Sequence, residues 1–139
     1  MSLTRRPMTL RALTLACSLS LTSCGSGTGP HARDMNGIYS GTYTVSTNPQ
    51  LVHQGAMQII QTGDSVRGTT DITAGRWANV YGFVVGHFIA IRLALNDTCG
   101  GSGTTFATIA EGGHLLTGEY SVSGGCGRPF NGRYRLTRP

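Results

Sequence analysis

Leu116-Thr117-Gly118-Glu119-Tyr120-Ser121-Val122 and Phe130-Asn131-Gly132-Arg133-Tyr134-Arg135-Leu136 carry one pattern twice: apolar, x, Gly, x, Tyr, x, apolar. Every second residue is apolar or glycine, and the residues between are polar. That alternation is the period of a β-strand with one dry and one wet face. The same spacing runs through Tyr39, Gly41, Tyr43 and Val45, and through Val66, Gly68, Thr70 and Ile72. Arg67, Thr69, Asp71 and Thr73 occupy the alternate positions of the latter segment, as Asn131, Arg133, Arg135 and Thr137 do of the last. Glycine at a fixed inward place in several strands lets them coil sharply, which a small closed barrel requires.

Strands are expected near 37–47, 55–62, 65–74, 76–86, 87–96, 103–111, 114–123 and 130–138, and no stretch sustains a 3.6-residue period. Thr62-Gly63-Asp64, Gly86-His87 and Glu111-Gly112-Gly113 are turn signals between them. Consecutive antiparallel strands without a crossover helix define the expected fold class: all-β, a small antiparallel up-and-down β-barrel of about eight strands, with a two-sheet β-sandwich as the alternative. In a meander, alternate loops share one end. The longer loops 48–54, 97–102 and 124–129 then gather opposite the N-terminus, where binding would concentrate.

The first thirty residues follow different rules. Arg5, Arg6 and Arg11 precede an apolar run from Leu13 to Leu21 that ends in Thr22 and Ser23. A basic start, a short apolar core and a small-residue end describe a secretory signal peptide, and the run is shorter than the roughly 20 residues needed to cross a bilayer. Leu21-Thr22-Ser23-Cys24 resembles the lipobox of bacterial lipoproteins. That resemblance implies cleavage before Cys24, lipidation of its thiol and often acylation of the new amine (a palmitate-type chain). Two or three acyl chains hold a protein on a membrane where one does not. The expected organisation is a lipoprotein signal peptide at 1–23, a lipidated Cys24 with a flexible Gly-rich tether at 24–36, and the β-barrel at 37–139. Gly25, where inner-membrane lipoproteins often carry Asp, points to the outer membrane of the cell envelope.

Processing changes the charge. The whole chain is +5, but residues 24–139 hold eight Arg against six acids and no Lys. No basic stripe remains, so nucleic acid is not expected as a partner. With Cys17 in the signal and Cys24 lipidated, Cys99 and Cys126 are left as a pair in an oxidising compartment, where a disulfide is expected.

No catalytic constellation is visible, and the protein is not expected to be an enzyme. His31, His53, His87 and His114 are dispersed over tether, loops and turns, and no metal or other cofactor is implied. Two surfaces are candidates. If Val80, Gly82 and Val84 point inward, then Tyr81, Phe83, Val85 and Phe88 form an exposed apolar patch, a surface for a protein partner or a homodimer. A bulge in strand 4 that swaps its faces is the other reading. The second candidate is a mouth for a small hydrophobic ligand near Trp77, His53 and Arg128, although the inward aromatics already suffice to fill an eight-stranded barrel.

The domain resembles eight-stranded meander barrels such as lipocalins and avidins over residues 37–138. Lipocalins begin with Gly-x-Trp backed by a late Arg; here Gly37-Ile38-Tyr39 and Arg138 stand in those places, with Tyr for Trp. The expected function is a lipid-anchored envelope lipoprotein acting as a non-enzymatic binding or scaffolding module. A lipocalin-like carrier of a small hydrophobic ligand and a protease-inhibitor barrel are the alternatives.

Overall fold

The structure is a computed structural model that describes residues 33–73 and 76–139. It is all-β, and its eight strands close into one antiparallel barrel in sequence order. The strands are β1 (Gly37–Val45), β2 (Asn48–Thr62), β3 (Ser65–Thr73), β4 (Arg76–Val85), β5 (Phe88–Leu95), β6 (Gly101–Ala110), β7 (Leu115–Gly124) and β8 (Phe130–Thr137). Closure comes from pairing β1 with β8, from Ser40 opposite Thr137 to Val45 opposite Gly132. Closure removes the sheet edges except along the first half of β2, and the sandwich alternative is set aside by this continuous ladder.

One boundary differs substantially. Residues 48–54 form the first half of β2 and not a long loop; β1 turns back through Ser46 and Thr47, with a register shift at Thr44 and Val45. Asn48 and Pro49 read as loop residues, yet this half of β2 pairs with β1 alone, while pairing with β3 begins at Met57. A strand end with one neighbour tolerates Pro and exposed Leu51 and Val52.

The period-two pattern sorts the faces. Tyr39, Tyr43, Met57, Ile59, Val80, Ile89, Leu93, Leu116, Tyr120 and Leu136 are among the buried core residues, while Arg67, Arg92, Arg133 and Arg135 are exposed on the outer wall. A dry interior with charged residues outside is the reverse of a membrane-spanning barrel, whose lipid-facing wall is apolar. Gly63 and Gly86, at φ of 60° and 61°, open the two-residue turns 63–64 and 86–87; each comes first, as a type II′ turn requires.

The Gly-x-Tyr repeat has a structural reason. Across β7 and β8, Gly118 stands opposite Tyr134 and Tyr120 opposite Gly132. Each ring lies over the glycine facing it: a Cβ on Gly118 would sit 2.9 Å from the Tyr134 ring, and one on Gly132 would sit 2.7 Å from the Tyr120 hydroxyl. Tyr43 covers Gly55 likewise, 2.8 Å from the position of an added Cβ. Rings that fill the space above glycines restore the packing those glycines lack while the strands still coil.

Both ends are closed by arginines. At the N-terminal end Met35 is fully buried, and the Tyr39 hydroxyl donates to the Gly113 carbonyl at 2.7 Å. Arg138 crosses above them, its guanidinium 5.6 Å from the Tyr39 ring centre, donating to the carbonyls of Asn36 and, at 3.0 Å, Asp34. Gly37, Tyr39 and Arg138 thus lie together at this end of the barrel. At the other end, Arg76 pairs with Asp97 at 2.8 Å and lies 5.8 Å from the Phe130 ring centre.

Candidate functional site

The interior is occupied by side chains. The Tyr43 ring packs against Tyr134 at 5.5 Å and Tyr120 at 6.0 Å, and Tyr120 meets Phe130 at 5.9 Å. Their hydroxyls are satisfied inside the barrel: Tyr43 with Thr70 at 2.9 Å, Tyr134 with Thr105 at 2.8 Å, and Tyr120 with the Thr44 carbonyl at 3.2 Å. Burial pushes the Tyr134 phenol up to about 12, partly countered by the Thr105 hydrogen bond, and pushes Tyr43 higher still. Such phenols stay neutral through the physiological range and act as packing and hydrogen-bonding groups, not as proton donors.

The expected ligand mouth does not assemble. Trp77 lies at the disulfide end but points outward from β4, opposite Asp71 and 43% exposed. His53 is half-buried on β2 opposite Tyr43, and Arg128 is exposed in the β7–β8 loop. The groups that close this end are Arg76, Asp97 and Phe130, which the sequence reading did not single out. The strand period does place Arg76 inward, two residues before Ala78. The Arg76 guanidinium holds the Asp97 carboxyl below the usual range, burial opposes this, and the Cys126 and Cys99 amides add to the lowering. Asp97 Oδ1 nevertheless has no hydrogen bond of good geometry. Cys99 and Cys126 are joined by a disulfide across the β5–β6 and β7–β8 loops, with Cα atoms 5.1 Å apart. Cys24, His31 and the tether up to residue 32 lie outside the described residues.

The outer wall of β4–β6 carries the other candidate. The β4–β5 register runs without a shift from Ala78 opposite Leu95 to Val85 opposite Phe88, so no bulge swaps the faces. Tyr81, Phe83, Val85 and Phe88 are exposed by 54, 61, 69 and 63%. Phe106 on β6, 69% exposed, belongs with them and was not singled out beforehand. Its signal was legible, because inward Thr105 and Ala107 force it outward.

The registers order this wall into three rows. Val85 pairs with Phe88 nearest the N-terminal end. Next, Phe83, Ala90 and Phe106 face one another across three strands, with half-buried Ala90 as the floor between two rings. Beyond them Arg67, Tyr81 and Arg92 stand side by side. The notch between the second and third rows, flanked by Ile60 and Thr104, has a volume of about 640 Å³ and is open to solvent. Among the described residues the ion pairs are Arg76 with Asp97, Arg133 with Glu119 and Arg138 with Asp34; Arg67 and Arg92 take part in none.

Comparison of the chain with protein-family models, with curated proteins and with solved structures finds no match.

Proposed function

We infer that the chain is an envelope lipoprotein, anchored through Cys24, whose barrel is a non-enzymatic binding or scaffolding module that works through its outer wall. The observation that carries the outer-wall part is the pairing of a ring-packed interior with an exposed aromatic wall on β4–β6. A carrier needs internal space for its ligand, and here Tyr43, Tyr120 and Tyr134 occupy the centre. Large aromatic groups held in solvent at this density mark a contact surface on a soluble face. The lipobox supports the anchor.

The test is fractionation of cells expressing the natural chain or Cys24→Ser, with labelled palmitate in the medium. The anchor reading expects label and membrane association in the natural chain and loss of both in the variant. Equal membrane association without label would overturn it.

A further inference from the structure

We propose that the β4–β6 wall seats on the surface of an anionic bilayer, its aromatic rows in the headgroup–acyl boundary and Arg67 and Arg92 on lipid phosphates. The inference rests on the anchored reading above and names what the wall would contact.

Three observations converge. The first is where the chain leads. The earliest described residue, Arg33, reaches the Ile109 carbonyl at 3.4 Å, so the chain enters the barrel beside the end of β6, the strand that carries Phe106. From Cys24 to Arg33 are nine steps, which reach at most about 31 Å. A lipid on Cys24 would hold this wall near the bilayer at millimolar effective concentration, where even weak partitioning is populated.

The second is the order of the rows. Val85 and Phe88 are nearest the end where the chain enters, then Phe83 and Phe106, then the row Arg67, Tyr81 and Arg92. Val85 and Tyr81 are two row spacings apart, about 13 Å along the strand and no more than about 10 Å of depth at the usual barrel tilt. Apolar groups enter an interface by about 5–10 Å. Tyr and Arg then fall at the headgroups, where their polar tips remain hydrated while their stems lie on apolar surface.

The third is charge. Arg67 stands between Ile60 and Tyr81, and Arg92 between Tyr81 and Thr104, so neither faces an acid across the strands. A second copy docked on the same wall would bring four guanidiniums into one interface, against Glu119, already held by Arg133, and Asp64 at the rim, whose carbonyl accepts from the Val84 N–H at 2.8 Å. Lipid phosphates supply the charge this wall lacks. Asp64 and Glu111 occupy turns at the chain-entry end. They favour a barrel tilted onto the β4–β5 hairpin, with Val85 and Phe88 deepest, over one standing upright on that end.

The test uses the chain isolated from cell membranes and placed in vesicles of phosphatidylethanolamine and phosphatidylglycerol, with bromine in the acyl chains as a quencher. Trp77, the one tryptophan in the sequence, sits at the opposite end of β4 and serves as the internal control. In a Trp77→Phe background, a Phe88→Trp reporter should be strongly quenched, while Trp77 of the natural chain should not. Arg67→Ser and Arg92→Ser should each lower the ratio of seated to unseated barrel about fivefold, and only when phosphatidylglycerol is present. A Phe88→Trp reporter that escapes quenching in vesicle-bound chain would overturn the proposal, and cross-links between copies at that position would assign the wall to a dimer. If the chain carries no lipid and does not float with vesicles, the anchor reading fails by itself. Quenching at several millimolar added lipid would then still uphold the seat, and its absence would overturn that as well.

Discussion

Tyr134→Phe separates the two things its hydroxyl does: bonding Thr105 at 2.8 Å inside the barrel and resisting ionisation there. In the unfolded chain a tyrosine ionises near pH 10. In the barrel, burial raises Tyr134 to about 12. Between these values the unfolded state has given up a proton that the folded state keeps, so the folded state loses stability as pH rises. Below pH 10 this contribution is constant. The loss reaches about 1 kcal/mol at pH 11 and about 2 kcal/mol at pH 12. Removing the hydroxyl costs about 1 kcal/mol at neutral pH, because Thr105 keeps its bond to the Glu119 carbonyl at 2.7 Å. The variant should therefore be the less stable protein at pH 7, equal the natural one near pH 11, and be the more stable one at pH 12. Urea unfolding followed by far-ultraviolet circular dichroism at these three values measures the crossing. Parallel profiles, with the variant equally destabilised throughout, would refute a dry Tyr134 and the filled interior that depends on it.

Other perturbations follow from the same packing. Gly132→Ala drives a methyl against the Thr44 carbonyl and the Tyr120 hydroxyl, and should cost about 3 kcal/mol or more in urea unfolding, well above a surface Gly63→Ala change. Cys99→Ser with Cys126→Ser opens a loop of 27 residues and should lower stability by roughly 3.5 kcal/mol on the chain-entropy model, read against the reduced natural chain as control. Arg138→Ala removes the bonds to the Asn36 and Asp34 carbonyls and uncovers Tyr39; amide exchange should accelerate at residues 35–39 and 113–115 before it does at the disulfide end. Asp97 is held below the usual carboxylate range, so its contribution is present above the unfolded value and lost as pH falls from there through the lower folded value; Asp97→Asn should flatten the acid limb of the stability profile.

The barrel was legible because one rule, inward at every second residue, runs through most of all eight strands and breaks only locally, as at Thr44/Val45 and Asp71/Thr73. Gly118, Tyr120, Gly132 and Tyr134 announced strands and coiling. That each tyrosine would cover the glycine opposite needed the β7–β8 register, which no local pattern supplies. Residues 48–54 read as a loop because Asn48 and Pro49 carry turn chemistry, whereas a strand end paired on one side alone accepts them. Trp77 drew attention as the single tryptophan, but its odd place in the β4 alternation already sends it outward. Phe83 and Phe88 were legible as exposed from the same parity. The exposure of Phe106 follows from inward Thr105 and Ala107, but its alignment with Phe83 across Ala90 depends on two registers. The Arg76–Asp97 pair joins residues 21 positions apart, at the end of the barrel where strand period stops being informative.

Native mass spectrometry of the protein isolated from cell membranes reads the lipid on Cys24 and the filling of the barrel in one spectrum. The expected mass is that of a chain starting at an acylated Cys24, two protons lighter for the disulfide, and denaturation should release no further mass. An unmodified Cys24 would contradict the anchor, and a small molecule released on denaturation would contradict the filled interior.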